Sequence, residues 1–150
     1  DVDFNSFDEE TFPYAMRQPP STINALGLIK FMFPNGNNIY LHDTPAKKLF
    51  DREVRAFSHG CIRLAKPFNF AYTLLEIQTP NPKLVIQEAL NVEYEIQIDL
   101  QNPVPVHLIY RTAVTIPGGG LEFRRDIYGR DTKIWDALQQ EGVVLQDVTG

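Results

Sequence analysis

The sequence predicts a mixed, mainly β fold with a few short helices. Three observations lead there. Of 150 residues, 43% are apolar and 22% charged, an ordinary globular balance. Short β-branched and aromatic runs are punctuated by Pro, Gly and Asn. Apolar residues at three-to-four spacing are confined to short stretches. One domain over residues 1–150 is expected, long enough to close a core without disulfides or metals.

Residues 1–21 are acidic and aromatic without a clean period, which suits an entry loop or edge segment. Residues 26–33 form a dense apolar run, Pro34-Asn35-Gly36 turns the chain, and residues 39–42 make a second short strand. Asp43-Thr44-Pro45 offers a helix cap for a turn or two over residues 46–50. Residues 55–63 are small, polar and Gly-containing, as a loop at a site would be. Pro67 opens a helix whose Phe68, Ala71, Leu74 and Leu75 share one face, and a second helix is expected over residues 83–90. Residues 92–100 and 104–116 read as strands. The latter closes at Pro117-Gly118-Gly119-Gly120 and pairs back with residues 121–128 as a hairpin. Asp131 or Thr132 caps a last helix through Trp135 and Leu138, which Gly142 ends.

A single Cys excludes a disulfide scaffold, and no apolar run approaches the ~20 residues that span a bilayer. No basic and apolar leader opens the chain at Asp1-Val2-Asp3, so the compartment has to be read from the chemistry. Net charge is −5, which argues against a nucleic-acid partner. Residues 47–66 nevertheless carry six cations (Lys47, Lys48, Arg52, Arg55, Arg63, Lys66) against Asp51 and Glu53. That stretch is either a solvated face or a host for a small anionic group.

The stretch that departs from packing logic is Ser58-His59-Gly60-Cys61-Ile62-Arg63. A free thiol has a pKa of ~8.5 and needs a base beside it to act as a nucleophile at neutral pH. In extended chain, His59, Cys61 and Arg63 share a face, and His42 ends a predicted strand upstream. The Gly60 and Cys61 N–H groups are placed to meet a developing oxyanion, and Arg63 to meet a carboxylate. Each residue also has a plain reading: a buried apolar Cys, a strand-end His, a turn Gly, a surface Arg. A zinc site on His42, His59 and Cys61 lacks a fourth ligand, so no metal is expected. His107, among Val and Leu, reads as structural.

His42, fifteen residues, then Ser58-His59-Gly60-Cys61, an apolar residue and Arg63 resembles the signature of the L,D-transpeptidase (YkuD-type) catalytic domain. Residues 23–64, with Tyr40-Leu41-His42-Asp43-Thr44-Pro45, and the later Val104-Pro105-Val106 and Asp126-Ile127-Tyr128 are similar to the longer murein enzymes of the Gram-negative periplasm. The resemblance implies a sandwich-like β domain with a C-terminal extension and, since opening strands are not evident before Leu26, one shortened at its N-terminus. It implies thiol acyl transfer on peptidoglycan stem tetrapeptides, without cofactor, in the periplasm or cell envelope. The acceptor is a neighbouring stem amine or, in some members, a lipoprotein lysine. Cys61 is then the nucleophile and His42 the base, oriented by the backbone carbonyl of Asp43. His59, Gly60 and Cys61 shape the oxyanion region, Ser58 supports the loop, and Arg63, Tyr40 and Asp43 face substrate. Proximity in sequence nominates His59 as base; the family pattern nominates His42. An L,D-carboxypeptidase or stem-peptide hydrolase, or an inactive peptidoglycan-binding domain, are the alternatives. Covalent labelling of Cys61 by a carbapenem discriminates the last of these.

Overall fold

The computed structural model describes residues 2–58, 60–92 and 94–144. Two compact units divide the chain, Asp1–Val104 and Pro105–Gly150.

The first unit is organised around a small sheet of β1 (Lys30–Phe31), β2 (Leu41–His42) and β3 (Ile62–Arg63), in that spatial order. β1 and β2 run antiparallel across the predicted turn, with Lys30 opposite His42 and Phe31 opposite Leu41. Asn35 holds that turn with its side chain. Its amide donates to the carbonyls of Phe33 and Ile39 at 2.9 and 2.7 Å, and its oxygen accepts from the Asn37 and Ile39 N–H groups. β2 and β3 run parallel, and a parallel pair needs a long crossover. Residues 43–61 supply it, including a 3-10 helix at Lys47–Asp51, where one or two helical turns are expected.

Helices α1 (Pro67–Leu75) and α2 (Pro82–Leu90) each begin with Pro, whose missing N–H costs nothing in the first turn. Their facing sides bury Ala71, Leu75 and Ile86 as the core. Ile29, Phe31, Phe68, Tyr72 and Val85 pack around it, with Ile98 and Leu100 from the following segment. Among the described residues of 92–100 the expected strand is not seen. Ile98 and Leu100 reach the core, but the local backbone finds side-chain partners in place of a ladder. Gln78 donates to the Asp99 carbonyl at 3.2 Å and accepts from the Gln101 N–H at 3.0 Å.

The second unit holds the hairpin of β4 (Ala113–Thr115) and β5 (Leu121–Phe123), followed by α3 (Arg130–Gln140). The Pro-Gly-rich turn is where it is expected, with Gly118, Gly119 and Gly120 all at positive φ. The strand expected over residues 104–116 pairs only at its end. α3 is not capped by Asp131 or Thr132: Asp126 accepts the Asp131 N–H at 2.7 Å on one oxygen and the Tyr110 hydroxyl at 2.6 Å on the other. The Arg130 guanidinium lies over both the Tyr110 and Tyr128 rings.

The fold is therefore mixed, but among the described residues strands of two and three residues are outweighed by helix, and each unit holds one small sheet. The β-branched pattern marks which side chains can pack; it does not supply the neighbouring strand that a ladder requires.

With so few fully buried apolar groups, the α1–α2 contact should dominate the first unit's stability. Leu75→Ala is expected to lower it by about 2–5 kcal/mol. The exposed Met32→Ala should change it by less than about 0.5 kcal/mol. Urea midpoints at unchanged m-values check both.

Candidate active site

Strand register builds the site. Leu41 pairs with Ile62 and His42 with Arg63, and the flanking bonds continue the ladder from Ile62 N–H to Tyr40 and from Leu64 N–H to His42. Side chains alternate along a strand, so Tyr40 and His42 fall on one face and Cys61 and Arg63 join them there. These four, with Ser58 and Gly60, line one cleft of about 440 Å³. His59 lies outside the described residues, so neither its place nor the zinc alternative that needs it enters this geometry.

His42 is buried at 4% exposure, and its Nδ1 is hydrogen-bonded to the backbone carbonyl of Asp43. A carbonyl only accepts, so Nδ1 carries the proton and Nε2 is left as the basic nitrogen. The Tyr40 ring stands edge-on to the imidazole with centroids 5.8 Å apart. Cys61 is a free, half-buried thiol. Hydrogen bonding to Cys61, then burial, then the charge of its thiolate raise the pKa of the Tyr40 phenol. The thiol itself is within 4.0 Å of the Asn38 carbonyl, its acceptor in this structure. Ser58 closes the loop by donating its hydroxyl to the Cys61 carbonyl at 2.5 Å.

Gly60 has neither a positive φ nor a crowded neighbour; an added Cβ would meet only Ile39, at 3.9 Å. Arg63 has its Nε buried, with no hydrogen-bond partner among the described residues. It is the one cation of the basic stretch that lines the cleft.

Asp43 departs from expectation. Its carboxylate neither lines the cleft nor caps the following helix. One oxygen accepts the Leu28 N–H at 3.1 Å, and the other receives the Lys47 ammonium at 2.6 Å. Burial pushes its pKa up, but the Lys47 bond and the Leu28 and Thr44 N–H groups outweigh burial, and the net shift is downward. The bonds of Leu28 and Lys47 to Asp43 have no counterpart in the sequence expectations, which place Leu28 in an apolar run and Lys47 in a basic stretch. The only local trace of Lys47 was its spacing of four from Asp43, the spacing of a helical ion pair.

A carboxyl whose folded pKa is depressed stabilises the fold above its unfolded pKa, and that contribution is lost as pH falls through the folded value. Wild type should therefore melt above Asp43→Asn at neutral pH. The gap in Tm should close as pH falls below the ordinary value of 3.8, toward the lowered one. Thermal melts of both proteins across that range check it.

Two comparisons bear on this cleft. The family model for the L,D-transpeptidase catalytic domain (YkuD) matches residues 2–86, which contain every cleft residue named above. A Haemophilus influenzae protein named "Putative L,D-transpeptidase" is 36% identical over 147 residues, an alignment that covers 93% of this chain. The chain spans only 29% of that relative's length. By the family model, which covers more than half of its residues, the chain belongs to the YkuD family of L,D-transpeptidase catalytic domains.

Proposed function

We propose that this chain carries the cysteine-dependent acyl-transfer centre of an enzyme that cross-links peptidoglycan stem tetrapeptides in the periplasm. The observation that carries this reading is the shared cleft face of Cys61 and His42, with the imidazole held by the Asp43 carbonyl so that Nε2 is its basic nitrogen. In the proposed reaction His42 Nε2 takes the Cys61 proton, and the thiolate attacks the carbonyl of the third stem residue. The Gly60 and Cys61 N–H groups, with His59, meet the oxyanion. The C–N bond to the terminal D-alanine breaks, the alanine amine leaves with the proton from His42, and a thioester remains. An amine from a second stem then attacks, His42 takes its proton, and the C–S bond breaks to return the thiol.

The buried Arg63 Nε, without a hydrogen-bond partner among the described residues, supports a role for that side chain toward a stem carboxylate. The Tyr40 ring, edge-on to the imidazole in the cleft that Cys61 also lines, supports a role in packing the bound stem beside His42. The Asp43 carboxylate is occupied by Leu28 and Lys47, which favours a scaffold role over the substrate contact read from sequence.

Incubation with a carbapenem should add the mass of the drug to wild type and nothing to Cys61→Ser. His42→Ala should slow acylation by roughly 10²–10⁴-fold, more than His59→Ala does. An unlabelled wild type that still binds murein would make this a binding module. With a stem tetrapeptide, a cross-linked dimer identifies transfer, and trimmed monomers identify a carboxypeptidase. Arg63→Met should keep the melting temperature and lose roughly 10- to 100-fold in kcat/KM, as loss of one charged hydrogen bond would; unchanged kinetics would remove Arg63 from the site.

A further inference from the structure

Lys47 belongs by sequence to a basic stretch suited to anionic ligands, yet its ammonium does not face the cleft. Its Nζ is bonded to Asp43 Oδ1 at 2.6 Å and to the carbonyls of Leu64 and Ala65 at 3.0 and 3.1 Å. An ammonium has three N–H donors, and here each has an acceptor. Those acceptors belong to two different segments. Asp43 directly follows His42 at the end of β2, whereas Leu64 and Ala65 follow β3, just beyond Cys61 and Arg63.

Asp43 is also held from its other side. Its N–H donates to the Ile29 carbonyl at 2.9 Å, and its free oxygen accepts from Leu28. Gly27, at φ +67, leaves no room between the backbone and the Asp43 side chain for a Cβ. With Lys47 on one flank and residues 27–29 on the other, the Asp43 residue is clamped, and its carbonyl is the group that holds His42 Nδ1.

We propose that Lys47 is a positioning residue: by bridging Asp43 to Leu64 and Ala65 it holds the carbonyl that sets the His42 tautomer and ring plane in register with the strand that follows Cys61. Its effect on turnover rests on the transpeptidase reading above. Its effect on the imidazole does not, because the tautomer can be read without substrate. Lys47 touches no reacting atom; it acts through Asp43 and then His42. Removing the ammonium unties Asp43 from Leu64 and Ala65 and leaves it held on one flank only, by residues 27–29, so that its carbonyl can shift relative to the imidazole. Nδ1 then loses its fixed acceptor, and the proton distributes between the two ring nitrogens.

The test uses the full chain with Lys47→Met, which keeps the stem and removes the charge. Nitrogen-15 spectra of the imidazole, assigned by the signal missing in His42→Ala, should show the Nδ1–H tautomer in wild type and a mixture in the variant. The pH profile of Cys61 alkylation by iodoacetamide should shift between the two. With a stem tetrapeptide kcat should fall roughly tenfold or more while KM moves by less than about twofold, the pattern of a misplaced catalytic group. A folded Lys47→Met with the wild-type tautomer and alkylation profile would overturn the inference. Should Lys47→Met fail to fold, Asp43→Ala removes the side-chain acceptor while keeping the backbone carbonyl, and a wild-type tautomer there would overturn it equally. If the tautomer responds to Lys47 but no protein, wild type included, turns over the stem peptide, the positioning role stands and the proposed function fails.

Discussion

Two backbone hydrogen bonds, from Ile62 N–H to the Tyr40 carbonyl at 3.0 Å and from Leu64 N–H to the His42 carbonyl at 2.8 Å, join strands that residues 43–61 separate along the chain. They set the register that puts His42 opposite Arg63, and with it the face on which Tyr40 and Cys61 meet. A slip of one residue would turn Cys61 and Arg63 away from His42, because side-chain direction reverses at every position. β1 supports β2 from the other edge. The turn that joins them is held by the Asn35 side chain, so the His42 strand is constrained on both sides before any site chemistry is considered.

What surrounds this pairing is more polar than a usual interior. His42, Asp43 and Thr44 are as deeply buried as the apolar core of Ala71, Leu75 and Ile86. Burying such groups is unfavourable unless each finds a partner. The partners are present: the Asp43 carbonyl for the imidazole, Leu28 and Lys47 for the carboxylate, and the Ala46 N–H for the Thr44 hydroxyl at 3.2 Å. A satisfied polar network of this kind specifies one arrangement, since alternative packings leave some member unpaired. In the second unit, where no described residue is fully buried, Asp126 plays a comparable part by joining Tyr110 to the start of α3.

Much of the local structure was legible. The β1–β2 hairpin announced itself by an apolar run stopped at Pro34-Asn35-Gly36, and α1 and α2 by Pro at the first position followed by apolar residues three and four apart. The β4–β5 turn was marked by three consecutive glycines. Residues 92–100 misled because an apolar alternation reports which side of a segment is buried and not whether another strand lies beside it. Capping misled for a related reason. Asp43 and Asp131 had the right type and place to cap, but longer-range donors claimed Asp43, and Asp126 had already met the α3 backbone.

The chain alone nominates the candidate chemistry-bearing residues and their local directions. A lone thiol, a Gly before it and an Arg two residues after it share one extended stretch, with a histidine at the end of an earlier strand. These are properties of residue type and of the two-residue strand period, and both are contained in a single segment. Tertiary structure decided which strand the thiol's segment joins, and in which direction. It also decided which nitrogen of His42 is free and which residues hold Asp43. The strand pairing and the Leu28 bond to Asp43 join segments far apart in sequence, and no local pattern encodes the partner of a donor whose acceptor arrives from another strand; the His42 and Lys47 bonds to Asp43 are short in sequence, but the strand fixes their geometry.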